Sequence, residues 1–280
     1  MTATGSIAKI IDFHVHIFAK ADYRPCVREL VERSLGMDFD SVVDEVVTPK
    51  GMRALLEAHG VECAVGLAEQ NPLVSGTCDN DYVAEFCHES GILIPFASIN
   101  PFVMAHPAVE LERAVCELGC RGLKLYPSYQ YFYPNDPMLY PVYAKAEKLG
   151  IPVMFHTGSS MFRGTRLKYA DPLWLDDVAV DFPDLKIVQA HSGRGFWYDR
   201  AFFMARLHKN VYMEISGLPP SNLLSYFPDF ERNADKIIFG SDWPATPDIR
   251  GNIAGIRALP LKERTKDQIL GENAAMVLGL

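Results

Sequence analysis

The sequence predicts an α/β protein built as a (β/α)8 barrel, and two observations support this. Eight short apolar runs alternate with helix-like segments, at intervals of about 25–35 residues after a longer first connection. Strands that are apolar along their whole length belong to a parallel sheet covered by helices, because both faces are buried. Eight such units in about 250 residues match a TIM barrel. A doubly wound open sheet, the alternative, is disfavoured because no glycine-rich phosphate loop follows the first run.

The predicted strands are apolar runs that end in polar or turn residues. They cover residues 10–18, 63–68, 93–99, 122–127, 152–158, 186–193, 211–217 and 236–244. Several segments between them stop at a glycine, which readily ends a helix in the left-handed conformation. The predicted helices cover residues 49–59, 81–89, 107–118, 138–149, 173–181, 198–208, 221–230, 248–258 and 262–278. No linker or low-complexity tract interrupts the series, so a single domain over residues 1–280 is the simplest interpretation.

The connection after the first strand, residues 19–48, is polar, mixed and long. Long connections at the carboxyl end of barrel strands tend to be lids over a site. We therefore expect residues 19–48 to form a covering loop, an expectation that rests on position alone.

Composition and charge narrow the class of partner. The chain is 49% hydrophobic and 22% charged, with a net charge of -8, which disfavours nucleic acid and anionic membranes as partners. A small-molecule substrate is expected. Residues 1–9 contain no targeting signal and no apolar run is long enough to span a membrane, so the cytoplasm is the expected location. The six cysteines form no CxxC pair and are expected to be reduced. The sequence does not specify the oligomeric state, so a homo-oligomer stays open.

The first predicted strand carries two histidines, His14 and His16, in the motif DFHVH. Residues two apart on a strand point to the same face, so the two imidazoles converge on one point. Two satisfied core histidines would give the same pattern. However, each neutral ring buried without a partner costs roughly 1–3 kcal/mol, and histidine is the commonest metal ligand. We therefore favour a metal site.

Other ionisable residues also lie at the carboxyl ends of predicted strands, where a barrel places its chemistry. They are Lys124, His156, His191 and Asp242. The remaining four histidines fall in helical or connecting segments. Three imidazoles and a carboxylate suit Zn²⁺, and the set also accommodates Mn²⁺ or Fe²⁺.

The roles of three of these residues stay open between alternatives. Asp242 is interpreted as a ligand that also accepts a proton from a metal-bound water, against a plain strand-end cap. His191 is a further ligand or an imidazole that polarises a substrate carbonyl. Lys124 is a structural ion pair or substrate contact, or it is N-carboxylated and bridges a second metal shared with His156 and His191.

The chain resembles the amidohydrolase superfamily, in the amidohydrolase-2 branch of metal-dependent TIM-barrel hydrolases and decarboxylases. The matching motifs span essentially the whole chain: DFHVH, KLYP, FHTG, QAHSG, FGSDWP and the closing GENAAMVLGL. The resemblance implies that His14, His16, His156 and Asp242 bind metal and that His191 is the catalytic histidine. Relatives with two metals carry a carboxylated lysine where this chain has Lys124, whereas this branch is generally mononuclear.

Candidate substrate contacts follow from charge and ring content. Arg163 and Arg166 lie in the loop after the fifth strand and Arg194 in the loop after the sixth, where guanidinium groups could pair with a substrate carboxylate. A solvated surface loop explains Arg163 and Arg166 equally well. Tyr126 and Trp243 could line a pocket for a planar substrate, or pack the barrel rim.

These observations predict a metal-dependent hydrolase, in which a metal-activated water attacks an amide, lactone or ester carbonyl of a small, carboxylated substrate. The alternative is a metal-dependent non-oxidative decarboxylase of an aromatic or unsaturated acid. A barrel that binds metal without catalysis is the second alternative, which the complete set of five residues disfavours.

Overall fold

The computed structural model describes residues 9–19 and 23–280. The expectation that residues 1–9 carry no targeting signal therefore lies almost wholly outside the described residues. The same applies to residues 20–22 of the predicted covering loop.

Eight parallel strands form the barrel and lie in sequence order around it, each pairing with the next. They are β1 (Ile11–His16), β2 (Cys63–Leu67), β3 (Leu93–Ser98), β4 (Leu123–Leu125), β5 (Val153–Gly158), β6 (Ile187–Arg194), β7 (Val211–Glu214) and β8 (Ile237–Ile238). Seven lie inside predicted runs, and β6 continues one residue past its predicted end, so that Arg194 is the last residue of the strand rather than part of the following loop. The TIM-barrel prediction is confirmed.

The barrel closes between its last and first strands through the residues that follow β8. The Phe13 N–H donates to the Phe239 carbonyl oxygen, and the His16 N–H donates to the Trp243 carbonyl oxygen, both at 3.0 Å. Val15 and Trp243 form a parallel bridge. The segment with the FGSDWP motif is therefore tied to β1, which brings the carboxyl ends of the first and last strands together.

Helices connect the strands and cover the barrel. The α-helices are Pro25–Leu35, Phe39–Ser41, Pro49–Ala58, Asn80–Ser90, Pro107–Cys116, Pro127–Gln130, Tyr140–Leu149, Leu175–Asp181, Tyr198–Leu207, Leu223–Tyr226, Ile249–Arg257, Glu263–Asp267 and Asn273–Leu278. Short 3-10 helices are Pro137–Leu139, Leu167–Tyr169, Pro172–Trp174, Pro220–Asn222 and Phe230–Lys236, and π-helical turns are Val42–Val46 and Gln268–Glu272. A two-stranded antiparallel hairpin, Glu69–Asn71 with Gly76–Cys78, follows β2.

The connection after β1 differs from expectation, because much of residues 19–48 is helical rather than a loop. Pro25 starts the helix Pro25–Leu35, a position where its missing N–H costs nothing. Val27, Leu30 and Val31 have helical spacing and are buried together on one face. This face packs over the carboxyl end of the barrel rather than leaving a polar loop in solvent.

The core has two main parts. The larger one packs the helices against the outside of the strands. The smaller one joins strand side chains such as Phe13 and Phe96 to the C-terminal helix Asn273–Leu278. The pairing of β1 with β2 shifts by one residue between Asp12 and Val15. Such a bulge re-aims side chains, so Phe13 packs in the core while His14, next in sequence, lines the cavity.

Among the residues that the structure describes, no helix is both long and apolar enough to cross a membrane.

Candidate metal centre

His14 is held from behind by the end of β7. Its Nδ1 lies 3.1 Å from Glu214 Oε2 and 3.1 Å from Ser216 Oγ. When Nδ1–H donates to the Glu214 carboxylate, the Nε2 atom keeps its lone pair. This Nε2 has no hydrogen-bond partner among the described residues and lies 3.5 Å from Asp242 Oδ1. His14 therefore presents a fixed nitrogen in the form that binds metal.

Asp242 brings a carboxylate to both histidines of β1. Its backbone has a φ of 66°, which few non-glycine residues adopt, and its N–H donates to the His14 carbonyl oxygen. This turn places Asp242 Oδ1 3.3 Å from His16 Nε2. Nitrogen and oxygen ligands about 2.0–2.2 Å from a tetrahedral Zn²⁺ lie roughly 3.3 Å from each other. The two histidines and Asp242 thus have the spacing of ligands that share one divalent ion.

His156 and His191 lie beside this compact group rather than inside it. The ring centroids of His156 and His191 are 4.7 Å apart, and those of His14 and His191 are 4.9 Å apart. His156 Nε2 is buried without a hydrogen-bond partner among the described residues. His191 Nδ1–H donates to the Ser216 carbonyl oxygen at 3.1 Å. The unpartnered nitrogen of His156 costs roughly 1–3 kcal/mol, a cost that coordination to a metal would remove.

Burial sets the protonation of these rings. It lowers the pKa of His14, His156 and His191 well below the usual value for histidine. The Lys124 ammonium lowers the pKa of His14 and His156 further, because two positive charges repel each other. The three rings are therefore neutral near pH 7, as metal ligands must be, and the residues present fit a divalent metal.

Lys124 is fully buried on β4. Its Nζ lies 5.1 Å from the centroid of the Tyr126 ring and has no hydrogen-bond partner among the described residues. Burial lowers the pKa of this ammonium, while the negative charges of Glu214 and Asp242 act in the opposite direction. Its carboxylation stays a prediction.

Two residues that support this centre were not among the predicted site residues, Glu214 and Ser216. Glu214 is fully buried, and its carboxylate contacts His14 while accepting from the backbone N–H groups of His191 and Ser216. Ser216 Oγ donates to Glu214 Oε2 at 2.8 Å. A signal for Glu214 existed, because it is an acidic residue at the carboxyl end of an apolar strand.

A cavity of about 620 Å³, including its open mouth, lies over the centre. Its polar side, which we call the donor floor, consists of His14, His16, His156, His191 and Asp242. Its opposing apolar wall consists of Val27, Leu30, Val31, Met161 and Phe162. The apolar wall comes from the helix Pro25–Leu35 and the loop after β5. The segment that was expected to cover the site does border the cavity, but it is a helix rather than a loop.

The structure brings only part of the predicted substrate contacts to the cavity. Arg194 lines it, with Nη1 3.4 Å from Asp242 Oδ2 and with Nε and Nη2 donating to the Ser159 carbonyl oxygen. Tyr126 also lines it, and its hydroxyl donates to the Ala68 carbonyl oxygen at 3.2 Å. The other three lie elsewhere. Arg163 lies in a separate surface depression, the Arg166 guanidinium lies over the Tyr131 ring, and Trp243 is buried against Phe18.

Comparison with known proteins places the chain in a family. The Amidohydrolase family model matches residues 11–280. A curated relative, 2-amino-3-carboxymuconate-6-semialdehyde decarboxylase of Dictyostelium discoideum, is 23% identical in an alignment of 241 residues that covers 72% of this chain and 65% of the relative. The chain thus matches just under two thirds of the length of that relative.

Two solved structures share the fold over nearly the whole chain. An uncharacterised TIM-barrel protein of Bordetella bronchiseptica is 26% identical, with a TM-score of 0.78 and 97% and 98% of the two chains covered. The 5-carboxyvanillate decarboxylase LigW of Sphingomonas paucimobilis is 20% identical, with a TM-score of 0.71 and 98% and 100% covered. The chain therefore belongs to the amidohydrolase family, in its amidohydrolase-2 branch, and is an enzyme of that metal-dependent superfamily.

Proposed function

We propose that this enzyme is a metal-dependent non-oxidative decarboxylase of an aromatic or unsaturated carboxylic acid. The cavity supports this, because it combines a donor floor with an apolar wall and one guanidinium. The decarboxylase relative, aligned over most of the chain, supports the same reaction. We further propose one divalent metal held by His14, His16 and Asp242 with His156, and Zn²⁺ as the first candidate from the nitrogen-rich donor set.

The observation that carries the proposal is the position of Arg194 at the edge of the donor floor. Its Nη1 lies 3.4 Å from Asp242 Oδ2, while its other nitrogens are fixed on the Ser159 carbonyl oxygen. A guanidinium fixed in this way binds a substrate carboxylate in one orientation. When bound, a divalent metal would draw electron density from the substrate oxygens.

The apolar wall favours loss of CO₂. A substrate carboxylate that faces Leu30 and Phe162 loses part of its hydration, which destabilises its negative charge. As the C–C bond breaks, this group becomes neutral CO₂ and the charge passes to the rest of the substrate. The electron pair of that bond remains on the substrate carbon, which then takes up one proton. Asp242 is the proposed group that passes this proton to the carbon, after its carboxylate has taken the proton up from solvent. His191, whose Nδ1–H is committed to the Ser216 carbonyl oxygen, offers its Nε2 to the cavity.

Hydrolysis of a carbonyl, the first expectation from the sequence, uses the same side chains. Asp242 would then accept a proton from the attacking water instead of donating one to carbon. The decarboxylase relative supports decarboxylation over hydrolysis, and the two reactions give different products from different substrates.

The test is a substrate screen with protein reconstituted separately with Zn²⁺, Mn²⁺ and Fe²⁺. We expect CO₂ release from hydroxybenzoates or unsaturated dicarboxylic acids, with deuterium at the vacated carbon when the reaction runs in D₂O. His88→Gln, at an exposed helix position outside the cavity, should keep full activity. Turnover of lactones or amides without CO₂ release from any acid would overturn the proposal. Metal analysis of the same samples counts ions per chain, and two ions would favour a carboxylated Lys124.

A further inference from the structure

A second carboxylate, Glu69, lines the same cavity outside the donor floor. It is the first residue of the hairpin that follows β2, and 6% of its surface is exposed. None of the roles proposed for the metal centre uses it.

Both donors that hold Glu69 are neutral and bind the same oxygen. Asn71 Nδ2 donates to Oε1 at 2.8 Å, and Ser75 Oγ donates to the same Oε1. Asn71 and Ser75 are themselves buried. The carboxylate is therefore fixed in orientation, with Oε2 having no hydrogen-bond partner among the described residues.

Stability of the hairpin does not explain the negative charge. Within the described residues, no lysine, arginine or histidine nitrogen lies within ion-pair distance of Glu69. The nearby hydroxyls of Tyr23 and Tyr126 donate to the carbonyl oxygens of Ile17 and Ala68 instead. Burial lowers the pKa of the Lys124 ammonium, and the charge of Glu69, which lies beyond ion-pair distance, raises it in opposition. A glutamine would accept the same two hydrogen bonds at Oε1 without the cost of burying a charge that has no direct ion pair. The free oxygen is thus a feature of the cavity rather than of the fold.

Glu69 and Arg194 lie on opposite sides of the barrel. Glu69 follows β2 and Arg194 ends β6, and strands four places apart in a ring of eight are diametrically opposite. The cavity therefore has a hydrogen-bond acceptor at one side and a guanidinium at the other, with the donor floor between them.

We propose that Glu69 determines specificity by accepting a hydrogen bond from an amino or hydroxyl group at the end of the substrate remote from the carboxylate that is lost. The substrate class is then an acid with a polar N–H or O–H donor opposite its carboxylate. This inference rests on the proposed function, because it takes the ligand to be a carboxylic acid oriented by Arg194. A site built to bind such a donor rejects analogues that lack it, since the buried acceptor would be left unpaired.

The test uses metal-loaded full-length protein and three probes that differ at one position: 4-aminosalicylate, 2,4-dihydroxybenzoate and 4-methoxysalicylate. Binding is measured by calorimetry and by the shift in melting temperature, and turnover by CO₂ release. We expect the amino or the hydroxyl probe to bind at least about tenfold more tightly than the methoxy probe. The tighter of the two identifies the donor.

The variant Glu69→Gln keeps the shape of the side chain and loses its charge. We expect it to reduce the preference for donor probes to within about threefold, with unchanged metal content and little change for the methoxy probe. Glu85→Gln, at an exposed position of the helix Asn80–Ser90, is the matched control and should leave the preference intact.

Two results would overturn the inference: no preference in the wild type, or a preference that persists in Glu69→Gln. The wild-type series decides the first without any variant, so a poorly folding variant does not remove the test. Decarboxylation without a donor preference refutes only this inference. Donor-dependent binding that needs Glu69, without CO₂ release from any acid, refutes only the proposed function.

Discussion

The donor floor and the apolar wall enclose the same cavity, yet they differ in how their side chains are held. On the donor floor, His14 is fixed by Glu214 and Ser216 at the end of β7, and Asp242 by a constrained backbone turn tied to β1. On the apolar wall, Leu30 and Phe162 belong to a surface helix and a loop and are held by packing. Side chains fixed by hydrogen bonds suit a reaction that needs exact positions, so we assign the chemistry to the donor floor. Side chains held by packing adapt to the shape of a ligand, so we assign the fit of the apolar part of the substrate to the apolar wall.

The largest expected effect comes from removing a proposed metal ligand of the donor floor. In His14→Ala, the metal loses a nitrogen that is fixed by Glu214, so we expect metal affinity to fall by more than about 100-fold. This exceeds the loss of about 10- to 100-fold that follows when only a residue hydrogen-bonded to a metal ligand is removed. Activity should fall with it while the fold persists. Metal analysis after dialysis and circular dichroism check this. His16→Ala should have the smaller effect, because 24% of the His16 side chain is exposed and no described residue holds its ring as Glu214 holds that of His14. An equal loss in both variants would contradict this ranking.

A smaller effect is expected in Glu214→Gln, because Glu214 contacts His14 rather than the proposed metal itself. Glutamine fits the same space but no longer accepts a charge-assisted hydrogen bond from His14 Nδ1–H, so metal affinity should fall by about 10- to 100-fold. Burial raises the pKa of the Glu214 carboxyl, which means that the folded, metal-free protein disfavours its charge. The metal-free variant should therefore be at least as stable as the wild type near pH 7. Competition with a chelator measures the first effect and thermal unfolding of the metal-free protein measures the second. A destabilised metal-free variant with unchanged metal affinity would show that Glu214 serves the fold.

The donor floor could be predicted from the sequence because each member leaves a local signal. His14, His156 and Asp242 are polar residues at the ends of apolar runs, and the barrel fold brings such ends together. The contact between Glu214 and His14 joins residues 200 positions apart, and no local pattern reports that pairing. For the same reason the sequence names Arg163, Arg166 and Arg194 alike as candidate carboxylate contacts, with a solvated loop as the alternative for the first two. The path of the chain brings Arg194 alone of the three to the cavity.

For the apolar wall, the sequence pattern indicates only that these side chains are buried against some other part of the protein. Val27, Leu30 and Val31 have the spacing of any amphipathic helix, and such a face packs against a core in most proteins. What the face covers depends on where the helix docks. The prediction of a covering element after β1 therefore had the right place and the wrong secondary structure.

The smallest expected effect tests the apolar wall. Phe162 lines the cavity and packs edge-on against Tyr129, with ring centroids 6.2 Å apart, while the next residue, Arg163, lies in a separate depression. In Phe162→Ala, the substrate loses an apolar contact worth about 1–2 kcal/mol, so KM should rise roughly 5- to 30-fold. Metal content should not change, because no ligand contacts are lost. Arg163→Ala is the matched control and should leave KM and kcat close to the wild-type values. A fall in metal content in Phe162→Ala would show that the apolar wall and the donor floor are coupled, and an equal rise of KM in Arg163→Ala would show that the depression around Arg163 is part of the substrate path.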